Sequence, residues 1–454
     1  MRVVAGTRRL VEERLPRTVQ PAAYVASGFA VLIVLGTILL ALPMSRAGTG
    51  SAPISTAFFN AVSACTITGL STVDTASYWS GFGELVLLIL VQVGGLGIST
   101  GAALVTILVF RRLGLRARLY TSAEAGNIAL GDVGQIVKGV ALITFSVEAV
   151  IAIVLALRWW VGYDESFLDA LWLGVFHSIM AFNNAGFALF ADSLIGFAAD
   201  PFILLPVTVA IILGGIGIPV LFDVFRRTKL RWSLHTRITM WMTLALLVYG
   251  MLFIGIIEWT NPETLGSQST PVKVLNAWFL SVSPRTAGFN TVNYTEMNPE
   301  SWLITDTLMF IGGGSVSTSG GIRVTTLAVL FLVLWAQARG DRDTNAGNRR
   351  LGTNLVQQAL VVTVVFAIIS VLGTLALMVL SDTDLDQGLF EVISALGTAG
   401  LSFGLTSSLD TPAQVLVAVL MFIGRVGPLT LAAALALRER DVRYRNPEGR
   451  VLVG

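Results

Sequence analysis

Long apolar stretches alternate with short mixed segments along nearly the whole chain. The apolar runs fall at about 22–44, 84–110, 139–161, 202–225, 236–258, 302–336, 355–380 and 413–437. Each exceeds the roughly 18 residues that let a helix cross a bilayer, so each predicts a membrane span. Between the two runs of each pair lies a shorter, less apolar piece, such as PISTAFFNAVSACTITG (53–69) or QGLFEVISALGTAG (387–400). These pieces are too short and too mixed to span. They predict re-entrant half-helices, which a membrane permits only where protein or a water-filled cavity covers their non-helical backbone.

The mixed pieces end alike, in TITGL (66–70), NNAGF (183–187), RTAGF (285–289) and GTAGL (397–401). Their glycines, Gly69, Gly186, Gly288 and Gly400, stand 117, 102 and 112 residues apart. A second landmark recurs with them: GGLGI (94–98), GGIGI (214–218), GGGSV (312–316) and IGRVG (423–427). The second position of each is Gly95, Gly215, Gly313 or Gly424, lying 26, 29, 25 and 24 residues beyond the first glycine. Two landmarks recurring together four times define an internal repeat of about 110 residues. Each unit reads as membrane helix, half-helix, short extended loop, membrane helix.

Composition agrees and narrows the class. Of 454 residues, 54% are hydrophobic and 13% charged, against about 25% charged in an ordinary soluble domain. One cysteine, Cys65, excludes an internal disulfide, and two histidines, His177 and His235, leave little for metal or acid–base chemistry. No convergent nucleophile, acid–base pair or metal cluster stands out, so an enzyme is not expected. The first 20 residues carry five arginines, but the apolar segment that follows is a full span rather than a cleavable leader.

Charge sets the expected orientation. With the N-terminus in the cytoplasm, 24 of the 30 basic residues fall inside, in the N-terminal arm, 111–138, 226–237, 339–350 and 438–450. The reverse topology would break the positive-inside rule at every loop. Acidic residues gather outside: Asp74, Asp164, Glu165, Asp192, Asp200, Glu296, Glu300, Asp382, Asp384, Asp386 and Asp410. They form either an acidic vestibule that concentrates cations or merely the solvated face of short loops.

Four glycine-bearing loops suit a dehydrated cation. A potassium-sized ion gives up its water to a ring of backbone carbonyls, and the dihedrals that aim carbonyls inward are ones glycine adopts freely. The half-helix before each loop adds the partial negative charge of its C-terminal end. With all four loops matching together, the chain resembles the Ktr/Trk/HKT superfamily of potassium transporters, most closely its Ktr-type (KtrB-like) membrane subunit, over residues 22–437. The resemblance implies an all-α integral membrane fold: four tandem helix–pore-helix–helix units with pseudo-fourfold symmetry around one central pore. It implies a selectivity filter of Thr66, Ile67, Thr68 and Gly69; Asn183, Asn184, Ala185 and Gly186; Arg285, Thr286, Ala287 and Gly288; and Gly397, Thr398, Ala399 and Gly400, with K+ as transported ion held by backbone carbonyls. In the plant branch, serine at the first glycine position accompanies sodium preference; here that position is Gly69. The resemblance also implies a homodimer in the plasma (inner) membrane. A cytosolic RCK-type (KtrA-like) ring would be a separate chain and carry the regulatory nucleotide. No organic cofactor and no nucleic acid is expected. A secondary symporter coupling K+ to Na+ or H+ is the alternative, although such carriers usually show inverted repeats.

The expected boundaries are a cytoplasmic arm (1–21), pore unit 1 (22–110), a loop (111–138), pore unit 2 (139–225), a loop (226–235), pore unit 3 (236–336), a loop (337–354), pore unit 4 (355–437) and a cytoplasmic tail (438–454). Unit 3 carries GGGSVSTSGG (312–321) inside its over-long second span. So many glycines and hydroxyls make a poor continuous helix, and in the family this segment resembles an intramembrane gate. The gating residues expected are Gly312, Gly313, Gly314, Ser315, Ser317, Thr318, Ser319, Gly320, Gly321 and Arg425. Arg425 breaks the repeat with a charge, in the slot read here as that of Leu96, Ile216 and Gly314. It is expected both to raise a barrier to cations and to donate to loop carbonyls around Gly313 to Ser319, with displacement of the loop opening the path. Arg323 is read as reaching the inner surface, His177 as packing, Cys65 as packing and a labelling site, and Glu148 as buried against a partner or in a cavity.

Overall fold

The computed structural model describes residues 20–112, 133–225 and 232–437. The arm at 1–19, the basic segments 113–132 and 226–231, and the tail at 438–454 lie outside the described residues. So does most of what the sequence assigns to the cytoplasm.

The predicted alternation is present as helices. The first unit runs α1 (Gln20–Leu40), α2 (Ile54–Thr66) and α3 (Gly81–Arg112). The second runs α4 (Val133–Gly162), α5 (Phe167–Asn183), α6 (Pro201–Ile216) and α7 (Ile218–Val224). The third is α8 (Leu234–Glu258), α9 (Thr270–Val282), α10 (Pro299–Ile311) and α11 (Val324–Ala338), and the fourth α12 (Thr353–Ser381), α13 (Leu385–Gly397) and α14 (Thr411–Leu437). A two-strand hairpin, Asn345–Ala346 against Arg349–Arg350, joins the last two units.

Local chemistry starts these helices where they start. Ser166 caps α5 by accepting from the Asp169 N–H, and Ser233 caps α8 by accepting from Thr236. Asp200 caps α6, with Pro201 in the first turn, where its missing N–H costs nothing.

Val137–Gly162, Leu234–Glu258 and Thr353–Ser381 are each long and apolar enough to cross a membrane; Pro201–Ile216 with Ile218–Val224 would do so as one bent span. Their outward faces carry large apolar side chains, among them Leu142, Ile153, Trp241, Ile256, Leu372 and Val379. A soluble protein would not leave so much apolar surface unburied; a bilayer is its natural solvent. The short helices turn inward, and each buries a phenylalanine completely, Phe59, Phe176, Phe279 or Phe390, with Phe182 of α5 buried as well.

The span expected at 202–225 is not continuous. It bends by 105° at Gly217, between α6 and α7. Pro219 is the cause, because it has no N–H to donate to the carbonyl of Gly215, four residues back. That carbonyl instead accepts from the N–H of Gly314, at 2.7 Å.

Packing depends on glycine where helices meet the ends of the short helices. A Cβ on Gly94 would lie 2.3 Å from the Cys65 carbonyl oxygen, one on Gly214 1.8 Å from that of Phe182, and one on Gly424 2.0 Å from that of Leu396. These shared contacts put Gly424 in register with Gly94 and Gly214. Arg425 therefore stands in the slot of Gly95, Gly215 and Gly313, one position from that read in the sequence. Gly214→Ala is expected to lower the thermal midpoint by several degrees, since overpacking costs about 1–3 kcal/mol. Gly28→Ala, whose Cβ would meet nothing within 4 Å, should leave it unchanged in the same scanning-fluorimetry experiment.

Candidate functional site: four turns in a closed ring

Three of the four short helices, α2, α5 and α13, end on a left-handed residue. The amide of Thr68 donates to the Ser63 carbonyl, that of Ala185 to Met180 and that of Ala399 to Ser394, each at 2.8 Å. This six-to-one closure normally takes glycine in the left-handed position. Here Ile67 (φ 57°), Asn184 (φ 59°) and Thr398 (φ 50°) occupy it, and Thr286 (φ 80°) takes the equivalent place in the third turn. Two residues on, Gly69, Gly186, Gly288 and Gly400 are left-handed as well, at φ 93°, 69°, 75° and 81°. Left-handed and ordinary residues therefore alternate in all four turns. Such alternation sorts peptide N–H and C=O groups onto opposite edges. For isoleucine and threonine the conformation costs about 1–3 kcal/mol each, and it persists only where the surroundings over-determine it.

The four turns touch in sequence and close on themselves. A Cβ on Gly69 would lie 2.4 Å from the Ala185 carbonyl oxygen, and one on Gly186 3.0 Å from that of Ala287. One on Gly288 would lie 3.0 Å from Ala399 O, and one on Gly400 2.2 Å from Thr68 O. Each glycine thus faces the carbonyl that precedes the next turn's glycine. Among the described residues, no hydrogen bond ends on the carbonyls of 67–69, 184–186, 286–288 or 398–400. Buried carbonyls are nearly always paired. Those of the four turns have no protein donor among the described residues.

The residues that follow the glycines anchor the ring. Leu70, Phe187, Phe289 and Leu401 are all buried. Nine residues before the glycine, three of the short helices reach forward to hold the outgoing loop. Asn60 accepts from Ser71 Oγ (2.7 Å), His177 Nε2 accepts from the Leu189 N–H (3.3 Å), and Glu391 accepts from Ser402 Oγ (2.8 Å) and Thr406 Oγ1. His177 packs against Phe190 as expected, with its Nδ1 2.9 Å from the Leu173 carbonyl. This brace is invisible in sequence, because its members share a position and not a residue type. Cys65 is fully buried, which removes its expected use as a label.

Above the ring opens a cavity of about 490 Å³, lined by all four glycines. Of the eleven acidic residues considered for a vestibule, Asp74 and Asp192 line it; Asp200 is held by Arg158 at 2.7 Å. The remaining lining is hydroxyls, amides and apolar groups, so the mouth is less acidic than the sequence reading allowed.

On the opposite side lies the glycine-rich loop between α10 and α11. Ser319 Oγ is 3.0 Å from the Asn184 amide, which is also 3.3 Å from Thr286 Oγ1. With its nitrogen turned to the carbonyls of Ala181 (3.0 Å) and Ile211 (3.2 Å), that amide accepts from both hydroxyls. Thr318 Oγ1 donates to the Phe182 carbonyl at 3.4 Å, and a Cβ on Gly320 would lie 2.2 Å from Gly397 O. The loop also pairs with the helix break: Gly314 N–H to Gly215 O (2.7 Å), and Ile218 N–H to Val316 O (3.1 Å). Arg425 is buried and donates from Nη1 to the Thr318 carbonyl, inside the stretch expected; its Nε and Nη2 have no partner. Arg323 does not reach the inner surface. It folds into the loop, donating to the carbonyls of Gly314 (3.3 Å) and Ser319; Gly314 O also accepts from Ser317 Oγ at 2.6 Å.

A ring of convergent carbonyls under a water-accessible mouth, in an apolar helical scaffold, is the construction of a transport protein for cations. Residues 12–442 match the TrkH family, described as cation transport protein, and the chain belongs to that family. It is 38% identical to Ktr system potassium uptake protein B of Bacillus subtilis, over 96% of this chain and 97% of that one. Identity to the protein of the same name from Vibrio alginolyticus is 36% (94% and 93% covered), and to potassium/sodium uptake protein NtpJ of Enterococcus hirae 33% (98% and 100% covered). The crystal structure of the potassium transporter TrkH from Vibrio parahaemolyticus superposes with a TM-score of 0.74 at 19% identity, over 93% of this chain and 85% of that one, and so shares the fold.

Adding a methyl group to the ring should close it. Gly288→Ala is expected to reduce cation flux in proteoliposomes by at least about tenfold, because the new Cβ would sit among Gly186, Ala399 and Gly400 backbone atoms in a strained conformation. Gly404→Ala, at φ 83° but in open space, should retain flux.

Proposed function

We propose that this chain is the ion-translocating membrane subunit of a potassium uptake system, conducting K+ through one central pore built from its four units in pseudo-fourfold arrangement. The observation that carries the reading is the closed ring of unpartnered carbonyls. Peptide oxygens so arranged replace the hydration shell of a monovalent cation without the strong binding of carboxylates. The names of the Ktr relatives support potassium, and that of NtpJ supports some passage of sodium. The sixteen residues 66–69, 183–186, 285–288 and 397–400 form the filter in this reading, and the ends of α2, α5, α9 and α13 add their partial negative charge.

The loop from Gly312 to Gly321 is the gate. It covers the inner side of the ring, and the guanidinium of Arg425 stands there with most of its charge unneutralised. A mid-membrane arginine costs about 2.5–3.5 kcal/mol on insertion scales and marks a functional interior. Here it repels cations and pins the loop through Thr318. Both termini face the cytoplasm in this scheme, the protein is a homodimer in the plasma membrane, and a nucleotide-binding RCK ring supplied by another chain displaces the loop. The Ktr names, which speak of a system, support a partner of that kind.

The decisive measurement is growth and K+ uptake in a host lacking its own uptake systems, with Na+ as competitor. Uptake saturable in K+ and weakly inhibited by Na+ is expected; uptake no faster than in the empty host would sink the assignment. Arg425→Ala should raise basal K+ flux several-fold and blunt its regulation. Pro219→Ala, which restores a donor for Gly215 O and so competes with the loop, should raise basal flux in the same direction.

A further inference from the structure

Behind the second turn lies a carboxyl group that the ring does not itself use. Glu148, halfway along α4, is 4% exposed. It meets Gln92 of α3 and Asn183, the last residue of α5 and first of the turn. Asn183 Nδ2 lies 3.0 Å from the Ile179 carbonyl, which fixes the direction of its amide. The same nitrogen lies 3.0 Å from both Gln92 Oε1 and Glu148 Oε1, so its two hydrogens are shared among three acceptors. Gln92 Nε2 completes the circuit by donating to Glu148 Oε2 at 3.1 Å. Ser178 Oγ anchors the backbone by donating to the Glu148 carbonyl at 2.6 Å.

Each carboxyl oxygen therefore has an amide nitrogen within hydrogen-bond distance. None of the ion pairs between described residues includes Glu148. A buried carboxylate without a countercharge is costly, and intramembrane carboxylates face a partner or a pathway. Through Asn183, Glu148 is in direct contact with the first residue of the second turn.

We propose that Glu148 sets the affinity of the ring for its cation, as a carboxylate held behind the second turn whose counter-ion is the bound monovalent cation. The inference rests on the transport reading above and deepens it. Glu148 touches no ion; it acts through Asn183 and through its field. A unit charge about 10 Å from a cation, at an effective dielectric constant near 20, changes affinity by about tenfold or somewhat more.

The experiment measures Rb+ or K+ influx into proteoliposomes of purified full-length protein, separating KM from the maximal rate. E148Q, which keeps the shape and removes the charge, should raise KM about tenfold with a smaller change in maximal rate. E148D, which keeps the charge, should stay within about threefold of the wild-type KM. An E148Q KM within about twofold of wild type, or an E148D as impaired as E148Q, overturns the proposal and leaves a packing role. Where E148Q does not fold, Gln92→Leu removes the N–H on Oε2 and leaves the carboxyl in place; its KM should rise about threefold, and an unchanged KM overturns the idea equally. Wild-type liposomes that take up no K+ would instead defeat the transport reading itself.

Discussion

A peptide carbonyl buried without a donor is expensive, and this fold gathers a ring of them at its centre. Everything around the ring keeps them from finding partners. The left-handed residues Ile67, Asn184, Thr286 and Thr398 hold the turns open, and the side chains that could have satisfied them point elsewhere. Thr66 Oγ1 is 2.7 Å from the Val62 carbonyl and 2.8 Å from Thr68 Oγ1, so both hydroxyls are engaged behind the turn. The strain is held by the buried residue that follows each glycine and by the braces from Asn60, His177 and Glu391.

The same economy of donors and acceptors explains the loop below. Where a helix would run on through Gly217, Pro219 cannot close the bond to Gly215 O. The loop takes that carbonyl and gives back Val316 O to the stranded N–H of Ile218. The break in the second unit and the loop in the third are thus one hydrogen-bonded device. A straight helix could not recover the bond to Gly215 O, because Pro219 has no N–H, so the break depends on the loop for that donor.

Much of this was legible from pattern alone, for a physical reason. A membrane forces apolar spans and intramembrane glycines to show in the sequence, so the helices, the four turns and the irregular loop could be located. The break at Gly217 was missed because GGIGIP (214–219) continues an apolar run, and apolarity does not report backbone direction. The register of Arg425 was off by one because it was set by residue identity in GGLGI and IGRVG, whereas the structure sets it by which glycine meets a carbonyl. The partners of Glu148 were invisible: Gln92, Glu148 and Asn183 come from three helices, and nothing periodic ties them together.

The four units share a backbone but have diverged in the side chain that opens each turn. Thr66 closes on its own helix, while Asn183 reaches Glu148 and Gln92. Arg285 extends to the Gly312 carbonyl at 3.4 Å, where the glycine-rich loop begins, and Gly397 has no side chain, so that Gly320 can press against its carbonyl. A pore made of four identical chains would have to put the same residue at all these places. Fusing the units into one chain frees them, and the two that touch the loop became an arginine and a glycine: one to hold its start, the other to admit its end. The four turns thus differ in their first position, while the left-handed residue that follows it keeps a common geometry.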